Sequence, residues 1–381
     1  MKVLPEITRA SGCHAFDADG RRYLDLMNGF GAVFLGHGQP RVVEALREQV
    51  SSLWICGRLP TPAAAAAQER IREVLPAGMK FAGLCSTGME AAEYAMRLAA
   101  VATGRREFAG FARGMHGKSG MTAAMCWNNA PLAPDAVHRL AFVDEMPEER
   151  VLANLEARLA PRRLAAVFVE PMQGSNALHE ASAAFLPEVA RLCRLHGTLL
   201  VADEILTGLY RAGTRFYCDG VGVVPDLMLF AKSMGNGFPV SSVAARQDLA
   251  LDARSMPGST FSGNPLASAA VAATLAVMGE MDLGANVAAI EQVVRGALGA
   301  IAPATAVLRG RGALWALEFA DEAMCAKAAR EAQRAGVLLS SYGRCIRLLP
   351  AATVDLAALR QACHGLARSC GAESPAAIGE G

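Results

Sequence analysis

Short apolar runs alternate with segments of helical periodicity through the middle of the chain. Each run is bounded by Gly, Pro or polar residues, which is the pattern of buried strands. Strands are predicted at residues 81–85, 107–112, 140–143, 165–169, 199–202, 227–231 and 240–244. Because helical segments separate these runs, the pattern indicates βαβ units and a mainly parallel sheet.

Helices are predicted at residues 89–101, 184–195 and from Pro265 to Met278. In the second of these, Phe185, Val189 and Leu192 share one face, and Gly197 follows where a helix commonly ends. The overall expectation is an α/β protein whose large domain contains the sheet.

The two ends of the chain read differently from its middle. The last hundred residues predict short strands at 312–319 and 344–349 and a helix at 356–369. We therefore expect residues 1–45 and 276–381 to form a smaller α+β domain, and residues 46–275 the large domain. A Gly/Ala/Ser/Pro-rich tail from about Gly371 is expected to be frayed.

Composition narrows the function classes. The chain has 381 residues, of which 52% are hydrophobic and 19% charged, and its formal net charge is +1. These values predict an ordered core, and they argue against a nucleic-acid partner or an anionic membrane surface. No signal-peptide core follows Met1, and the apolar stretch at 267–278 is too short to span a bilayer. The ten cysteines include no Cys-x-x-Cys pair, so a reducing, cytoplasmic location is expected.

Lys232 is the first candidate for chemistry. It follows the apolar run 227–231 and precedes a Gly-rich turn that contains Gly235 and Gly237. Ligands of α/β proteins bind where strands of the sheet end, and a lysine partly removed from water there is a suitable nucleophile. The alternative is an ordinary surface lysine at the end of a strand.

Two further segments predict binding groups. The strand 199–202 delivers Asp203 and Glu204 to its carboxyl end, although an isolated aspartate there is also compatible with a helix cap or an exposed loop. After the strand 81–85, Ser86, Thr87 and Gly88 form a turn into a helix. Free N–H groups and the positive end of the helix dipole would bind phosphate there. A simple capped helix start has the same pattern.

Taken in order, these segments resemble the class III (ω-type) aminotransferases, which are pyridoxal 5′-phosphate (PLP) enzymes of fold type I. The resemblance covers nearly the whole chain. Its motifs are DGRRYLDL at 19–26 with GH at 36–37, STGMEA at 86–91, VEPMQG at 169–174, DEILTGLYRAG at 203–213, PDLMLFAK at 225–232, GSTFSGNP at 258–265 and RLLP at 347–350.

The resemblance implies a role for individual residues. Lys232 would hold PLP as a Schiff base and move protons, and Asp203 would bind the pyridine nitrogen, N1. Arg347 would bind the carboxylate of an amino-acid donor, and Trp54 would line the substrate entrance. The remaining cofactor contacts implied are Thr87, Gly88 and Met89 at the phosphate, Met115, His116 and Ile205 around the ring, and Thr260 reaching in from the partner subunit of a homodimer.

Three residues depart from the family pattern. Met115 stands where an aromatic residue usually covers the cofactor, and Leu206 stands where many members have an amide. Ser175 replaces a glutamate that, in the ornithine and γ-aminobutyrate (GABA) types, gates the carboxylate-binding arginine. These departures leave the reaction type standing and make those two substrate classes less favoured.

Other functions stay open at this point. A PLP-dependent aminomutase or racemase on the same scaffold would use the same cofactor residues. From another class, residues 112–119 nearly match a phosphate-binding P-loop, but Ala112 replaces its first glycine. The seven histidines lack ligand spacing, so no metal is predicted. The expected reaction moves an amino group from an amino-acid donor to a small carbonyl acceptor, an aldehyde or ketone.

Overall fold

The computed structural model of the chain describes residues 5–57, 59–127, 130, 132, 135–251 and 258–371. The chain folds into two compact units. The small unit comprises Met1–Pro40, Tyr210–Gly213 and Met281–Gly381, and the large unit comprises Arg41–Leu209 and Thr214–Glu280. The predicted domain boundaries after residues 45 and 275 stay a prediction, and the sequence did not predict the excursion at Tyr210–Gly213. Most of the tail expected to fray, from residue 372 on, lies outside the described residues.

The strands, in chain order, are β1 Ile7–Ser11, β2 His14–Asp17, β3 Arg22–Asp25, β4 Met79–Cys85, β5 Glu107–Phe111, β6 Val137–Leu140, β7 Leu164–Val169, β8 Met172–Gln173, β9 His179–Glu180, β10 Leu199–Asp203, β11 Leu227–Phe230, β12 Ser241–Arg246, β13 Ala306–Arg311, β14 Leu314–Phe319, β15 Val337–Leu338, β16 Ser340–Tyr342 and β17 Cys345–Leu348. The longer helices are Pro40–Ser52, Pro62–Val74, Gly88–Thr103, Gly120–Cys126, Glu148–Leu159, Phe185–His196, Pro265–Gly279, Leu283–Leu298, Glu322–Arg334 and Leu356–Ser369.

The large unit is built on one twisted sheet. Its strand order is β4-β12-β11-β10-β7-β5-β6, and β12 runs antiparallel to both of its neighbours. The pairs β10–β11, β10–β7, β5–β7 and β5–β6 are parallel. This confirms the prediction of an α/β fold with a mainly parallel sheet.

Helix Gly88–Thr103 shows why this sequence packs on that sheet. Thr87 caps its amino end, and Gly104, in the left-handed region at φ 69°, ends it. The helix buries a face that includes Ala91, Ala95 and Leu98 in the same core cluster as strands β7 and β10. A buried side chain the size of leucine contributes about 1.5–3 kcal/mol, so this face fixes the helix against the sheet.

One predicted strand is wrong. Residues 140–143 were expected to be extended, but β6 ends at Leu140 and the chain turns immediately after it. The carbonyl of Phe142 accepts hydrogen bonds from the N–H groups of Glu145 and Met146. Phe142 is nevertheless buried, because its ring packs edge-on against Phe111 and Phe185. The apolar residue that suggested a strand therefore fills the core from a turn.

The small unit contains two further sheets. One has the order β1-β2-β3-β15 and the other the order β13-β14-β17-β16. Strand β17 lies between β14 and β16 and is antiparallel to both. Helix Leu356–Ser369 is capped by the carboxylate of Asp355, which accepts from the N–H groups of Ala357 and Ala358.

Among the described residues, no single helix is long and apolar enough to cross a membrane. Helices Pro265–Gly279 and Leu283–Leu298 meet that criterion when they are counted together as a bent pair.

Candidate active site

Two neighbouring strands of the large unit bring the predicted nucleophile and the predicted carboxylate to one edge of the sheet. Strands β10 and β11 run parallel, and Asp203 pairs with Leu229. Lys232 comes three residues after Leu229, at the start of the single turn of 3₁₀-helix Lys232–Gly235. Because both groups follow carboxyl ends of adjacent parallel strands, they occupy the position where α/β sheets bind ligands.

Asp203 is held firmly at this edge. It is 2% exposed, and its Oδ2 lies 2.7 Å from Nδ1 of His116. Its Oδ1 accepts from the N–H of Ile205 at 3.1 Å. Burial lowers the pKa of His116, but the hydrogen bond to Asp203 and its charge outweigh burial and leave that pKa raised. A buried carboxylate paired with a histidine has its orientation fixed, as a group binding a ring nitrogen requires.

Glu170, which belongs to the motif at 169–174 but received no predicted role from the sequence, is a third buried group here. Its Oε1 accepts from the N–H of Met115, and its Oε2 accepts from the N–H of Gly174 at 3.1 Å. Burial raises the pKa of Glu170 to about 7, and the charge of Asp203 adds to this effect. The charge of His116 and the two backbone N–H groups act in the opposite direction. Glu170 thus anchors the backbone at Met115 and belongs to the same electrostatic cluster.

The raised pKa of Glu170 predicts a pH-dependent stability. Between about pH 4.5 and pH 7 the folded protein keeps a proton that the unfolded chain loses, so the free energy of unfolding should fall as pH rises through this window. We expect Glu170→Gln to remove a fall on the order of 1–3 kcal/mol. Thermal unfolding from pH 4.5 to 8 measures it. The exposed Glu149→Gln should keep the wild-type profile, and an unchanged profile in Glu170→Gln would contradict the assignment.

The second carboxylate of the strand end, Glu204, faces away from this cluster of buried groups. It is fully buried, and its oxygens accept from the hydroxyl of Thr207 and from the N–H groups of Tyr217 and Cys218. Those two N–H groups belong to the first turn of the short helix Tyr217–Gly220. Glu204 therefore has a structural role, and the structure separates two carboxylates that the sequence placed side by side.

The predicted phosphate turn packs against Ile205, two residues after Asp203. A Cβ atom on Gly88 would lie 2.7 Å from Cδ1 of Ile205, so a larger residue at 88 would collide with that side chain. The hydroxyl of Thr87 accepts from the N–H of Glu90 at 3.1 Å. The first N–H groups of a helix have no partner inside it, and no described hydrogen bond uses those of Gly88 or Met89. The turn can therefore offer them to an anion.

The structure shows less about three other residues predicted to contact the cofactor or the substrate. Met115 is half-buried, and its backbone N–H donates to Glu170. Thr260 is exposed at the tip of a loop. Trp54 is 61% exposed, and its indole N–H donates to the carbonyl of Val50 one turn earlier. The contacts expected of Trp54 and Thr260 with substrate and cofactor stay predictions.

Arg347 lies on β17 of the small unit, in surroundings that suit an anion. Its Nη2 donates to the hydroxyl of Ser340 at 3.1 Å. Its guanidinium carbon lies 5.0 Å from the ring centre of Tyr342 and 5.9 Å from that of Phe30. Aromatic faces stabilise a guanidinium, and the planar guanidinium is the side chain whose shape best matches a carboxylate.

Phe30, which the sequence did not predict as a site residue, projects from a strained turn. Asn28, Gly29, Phe30 and Gly31 all have positive φ angles, from 45° to 88°. The Asn28 side chain holds the turn by donating to the carbonyls of Asp25 and Leu349, each at 2.8 Å. Left-handed backbone costs a residue with a side chain roughly 1–2 kcal/mol. Such strain is typical of functional sites, and the glycines on both sides of an exposed aromatic residue were the available signal.

Among the described residues, no group of three or more His, Cys, Asp or Glu side chains is placed to hold a metal ion.

The large unit thus offers the groups that a phosphorylated pyridine aldehyde requires. A lysine is present for the aldehyde, a buried carboxylate for the ring nitrogen, and a helix amino end with unused N–H groups for the phosphate. PLP therefore fits the residues present, and the combination defines a PLP enzyme of the aminotransferase fold type.

Comparison with known proteins gives the particular family. Residues 1–369 match the model of the family "Aminotransferase class-III". The [LysW]-aminoadipate semialdehyde transaminase of Deinococcus radiodurans is 32% identical over 92% of this chain and 82% of its own length. The 2-aminoadipate transaminase of Pseudomonas putida is 32% identical over 95% of both chains. An ornithine aminotransferase structure from Toxoplasma gondii, with PLP in its active site, has a TM-score of 0.85 and 26% identity over 97% of this chain and 91% of its own.

The chain belongs to the class-III aminotransferases. It is a PLP-dependent transferase that moves an amino group from an amino-acid donor to a carbonyl acceptor. This confirms the predicted family, fold, cofactor and reaction, and none of the comparisons supports an aminomutase, a racemase or a P-loop protein.

Proposed function

We propose that the edge of the sheet at Asp203 and Lys232 is the catalytic centre of this aminotransferase. The observation that carries the proposal is the placement of a buried Asp203–His116 pair and Lys232 at adjacent strand ends. Lys232 would bind the cofactor covalently, and Asp203 would bind its N1. Thr87, Gly88 and Met89 would bind the phosphate, with Ile205, Met115 and His116 around the ring.

PLP, when bound, supplies a ring that accepts the electron pair left on the substrate carbon after a proton is removed. The residues of this chain do the rest. Once the substrate amine has displaced it from the cofactor, Lys232 would carry on its free Nζ the proton removed from the substrate Cα. Asp203 would keep a proton on the ring nitrogen, and His116 fixes the orientation of Asp203 from behind. Ile205 would shield one face of the ring from water. Adding an amino donor to the loaded enzyme should shift its visible absorbance, and adding an acceptor should restore it; no shift with any donor would reject the proposal.

We further propose that both substrates carry a carboxylate that Arg347 binds. The side chain is half-buried, with the Ser340 hydroxyl and two aromatic rings around it. The names of the relatives support this choice, since aminoadipate and its semialdehyde derivative are carboxylate-bearing compounds. Phe30 would contact the carbon chain next to that carboxylate.

Arg347→Ala should raise KM for a carboxylate-bearing donor by roughly one to two powers of ten. A charge-assisted hydrogen bond contributes about 1.5–3 kcal/mol, and this bond exists before and during the reaction. A carboxylate-free amine should show a much smaller change. Steady-state kinetics with both donors measures the difference, and Arg347→Lys should recover part of the loss.

Arg344→Ala is the matched control for this prediction. Arg344 lies three residues away, is more exposed and pairs with Glu318 at 3.2 Å. Its replacement should leave KM for both donors within about twofold, since exposed ion pairs contribute little. Equal losses with both donors in Arg347→Ala, or lower thermal stability without a change in KM, would make Arg347 a structural residue.

We also propose that the enzyme is a homodimer in the cytoplasm. Thr260 and Phe261 project from the large unit, and Phe261 is 62% exposed. Large apolar side chains are concentrated in one short segment, where Val50, Leu53, Trp54, Ile55 and Leu59 are all exposed. Apolar surface of this extent is typical of an interface. All ten cysteines are free thiols, which suits a reducing compartment.

The dimer makes a direct prediction. Light scattering should give twice the chain mass of 39.9 kDa for the wild type. Leu59→Asp should weaken association by at least about tenfold, because a charge would be buried in an apolar interface. Leu195→Asp changes another exposed leucine, 55% exposed against 70% for Leu59, at the end of helix Phe185–His196, and this variant should remain dimeric. A monomeric wild type with full activity would contradict the proposal.

A further inference from the structure

The carboxylate of Glu90 joins two segments of the large unit that are far apart in sequence. Its Oε2 accepts from the N–H of Ser86 at 2.7 Å, at the start of the phosphate turn. Its Oε1 accepts from the hydroxyl of Ser262 at 3.1 Å. One half-buried side chain thus bonds both to the turn that carries Thr87, Gly88 and Met89 and to the loop that carries Thr260.

That loop, residues 259–264, is closed by a pair of serines. The N–H of Ser259 donates to the hydroxyl of Ser262 at 3.0 Å, and the N–H of Ser262 donates to the hydroxyl of Ser259 at 3.1 Å. Thr260 and Phe261 are the two residues between them, so the serine pair fixes the tip. The hydroxyl hydrogen of Ser262 goes to Glu90, which makes Glu90 the anchor of the closed tip.

An ordinary helix cap does not account for this contact. In a capping box, the third residue of the helix accepts from the N–H of the capping residue, which here is Thr87. Glu90 accepts instead from Ser86, one residue earlier, and uses its second oxygen on a different segment. This arrangement leaves the N–H of Thr87 beside those of Gly88 and Met89. It also places the Glu90 carboxylate in the first turn of the helix, close to the phosphate turn.

We propose that Glu90 is a positioning residue for the cofactor phosphate, because it sets the Thr260 loop in register with the phosphate turn. The inference rests on two roles: the phosphate binding proposed above for Thr87, and the contact with the partner subunit's cofactor phosphate that the family resemblance implies for Thr260. Glu90 itself does not touch the cofactor. It acts by fixing two segments that would each bind a phosphate. The phosphate turn would bind the cofactor of its own subunit, and the Thr260 loop would bind that of the partner subunit. Glu90 therefore links the phosphate sites of the two subunits.

A double-mutant cycle on PLP release tests this directly. The rate at which PLP leaves the holoenzyme is measured for the wild type, Ser262→Ala, Glu90→Gln and the double variant, with dimer mass checked by light scattering. Ser262→Ala keeps the Glu90 charge and its bond to Ser86, and it should speed PLP release about tenfold, the order expected for a hydrogen bond to a charged group. Glu90→Gln removes the charge but keeps one oxygen that can accept from the N–H of Ser86. In the double variant the two effects should combine to clearly less than their product, because both weaken the Glu90–Ser262 contact; the bond from the N–H of Ser259 is lost only with the Ser262 hydroxyl.

A control variant and a separate Thr260 variant distinguish a failure of the Glu90 role from a failure of the phosphate role of the loop. Glu93→Gln removes a charge one turn further along the same helix, where the partner is Ser119, and should change PLP release by less than about twofold. Three results would each overturn the role of Glu90. The effects of the two substitutions on the rate of PLP release could multiply, Ser262→Ala could leave that rate unchanged, or Glu93→Gln could change it as much as Glu90→Gln does. If Thr260→Ala leaves PLP release unchanged, the proposed phosphate role of the loop fails, whatever the cycle shows.

Discussion

Replacing Lys232 by alanine should lower transamination by at least about 10⁴-fold. The amine is proposed both to hold PLP and to move the proton between Cα and C4′, and the loss of a positioned proton carrier alone removes about 10²–10⁴-fold. The protein should remain folded, since Lys232 opens a short 3₁₀ turn whose following residues, Ser233 and Met234, form the buried part. Single-turnover kinetics with a carboxylate-bearing donor measures the loss.

Borohydride reduction adds a test that does not depend on turnover. Treatment of the wild type should attach the cofactor irreversibly to Lys232, as mass spectrometry of the digested protein would show. Lys327 is the matched control, because it is exposed in the small unit and its replacement by alanine should change neither labelling nor rate. Label on any lysine other than Lys232 would reject the assignment.

Asp203→Asn should lower kcat by about 10²–10³-fold while the protein still binds PLP. The amide keeps the shape of the side chain but cannot hold a proton on N1, so the ring withdraws electrons less strongly when the substrate proton is removed. A loss of this size is typical when one fixed electrostatic partner is removed. Binding through the phosphate turn should persist, because Thr87, Gly88 and Met89 do not contact Asp203 through any described hydrogen bond.

Glu204→Gln is the control that the structure provides on the same strand end. It removes the neighbouring carboxylate, whose partners are Thr207, Tyr217 and Cys218. We expect a loss of stability of about 1–3 kcal/mol with kcat nearly unchanged, since the weakened acceptor bonds to Thr207, Tyr217 and Cys218, and no described hydrogen bond joins it to Asp203 or His116. If the two variants changed places, with Glu204→Gln inactive and Asp203→Asn active, the proposed roles would have to be exchanged.

Much of the architecture follows from local pattern. The helix predicted at 356–369 is present with those bounds, because the aspartate cap before it and its helical periodicity predict the same segment. Most strands of the central sheet begin or end within two residues of the prediction, because short runs of Leu, Val, Ala and Phe bounded by turn residues are typical of buried strands. The failure at 140–143 has a tertiary cause, since Phe142 is buried by Phe111 and Phe185 and not by a strand of its own.

Some residues of the candidate site could likewise be found from local sequence, and others could not. Lys232 and Asp203 could be found from the sequence because each directly follows an apolar run, and the order of the runs brings the ends of parallel strands to one edge. The roles of Glu170 and Phe30 could not be found in this way, although Glu170 lies in the motif at 169–174 and glycines flank Phe30. The position of Glu170 depends on a contact with the backbone of Met115, 55 residues away, and that of Phe30 on a turn held by the carbonyl of Leu349.

By itself, then, the amino-acid order determined the class of fold and the residues next to each strand end, because burial and chain direction act over a few residues. The cofactor followed from the resemblance of several motifs to a known family. The tertiary structure decided which of two adjacent carboxylates, Asp203 or Glu204, faces His116 and which one caps a helix. It also decided that Glu90 meets Ser262, across 172 residues of chain. Such pairings depend on how whole elements pack, and each involves a polar side chain whose local sequence is compatible with several partners.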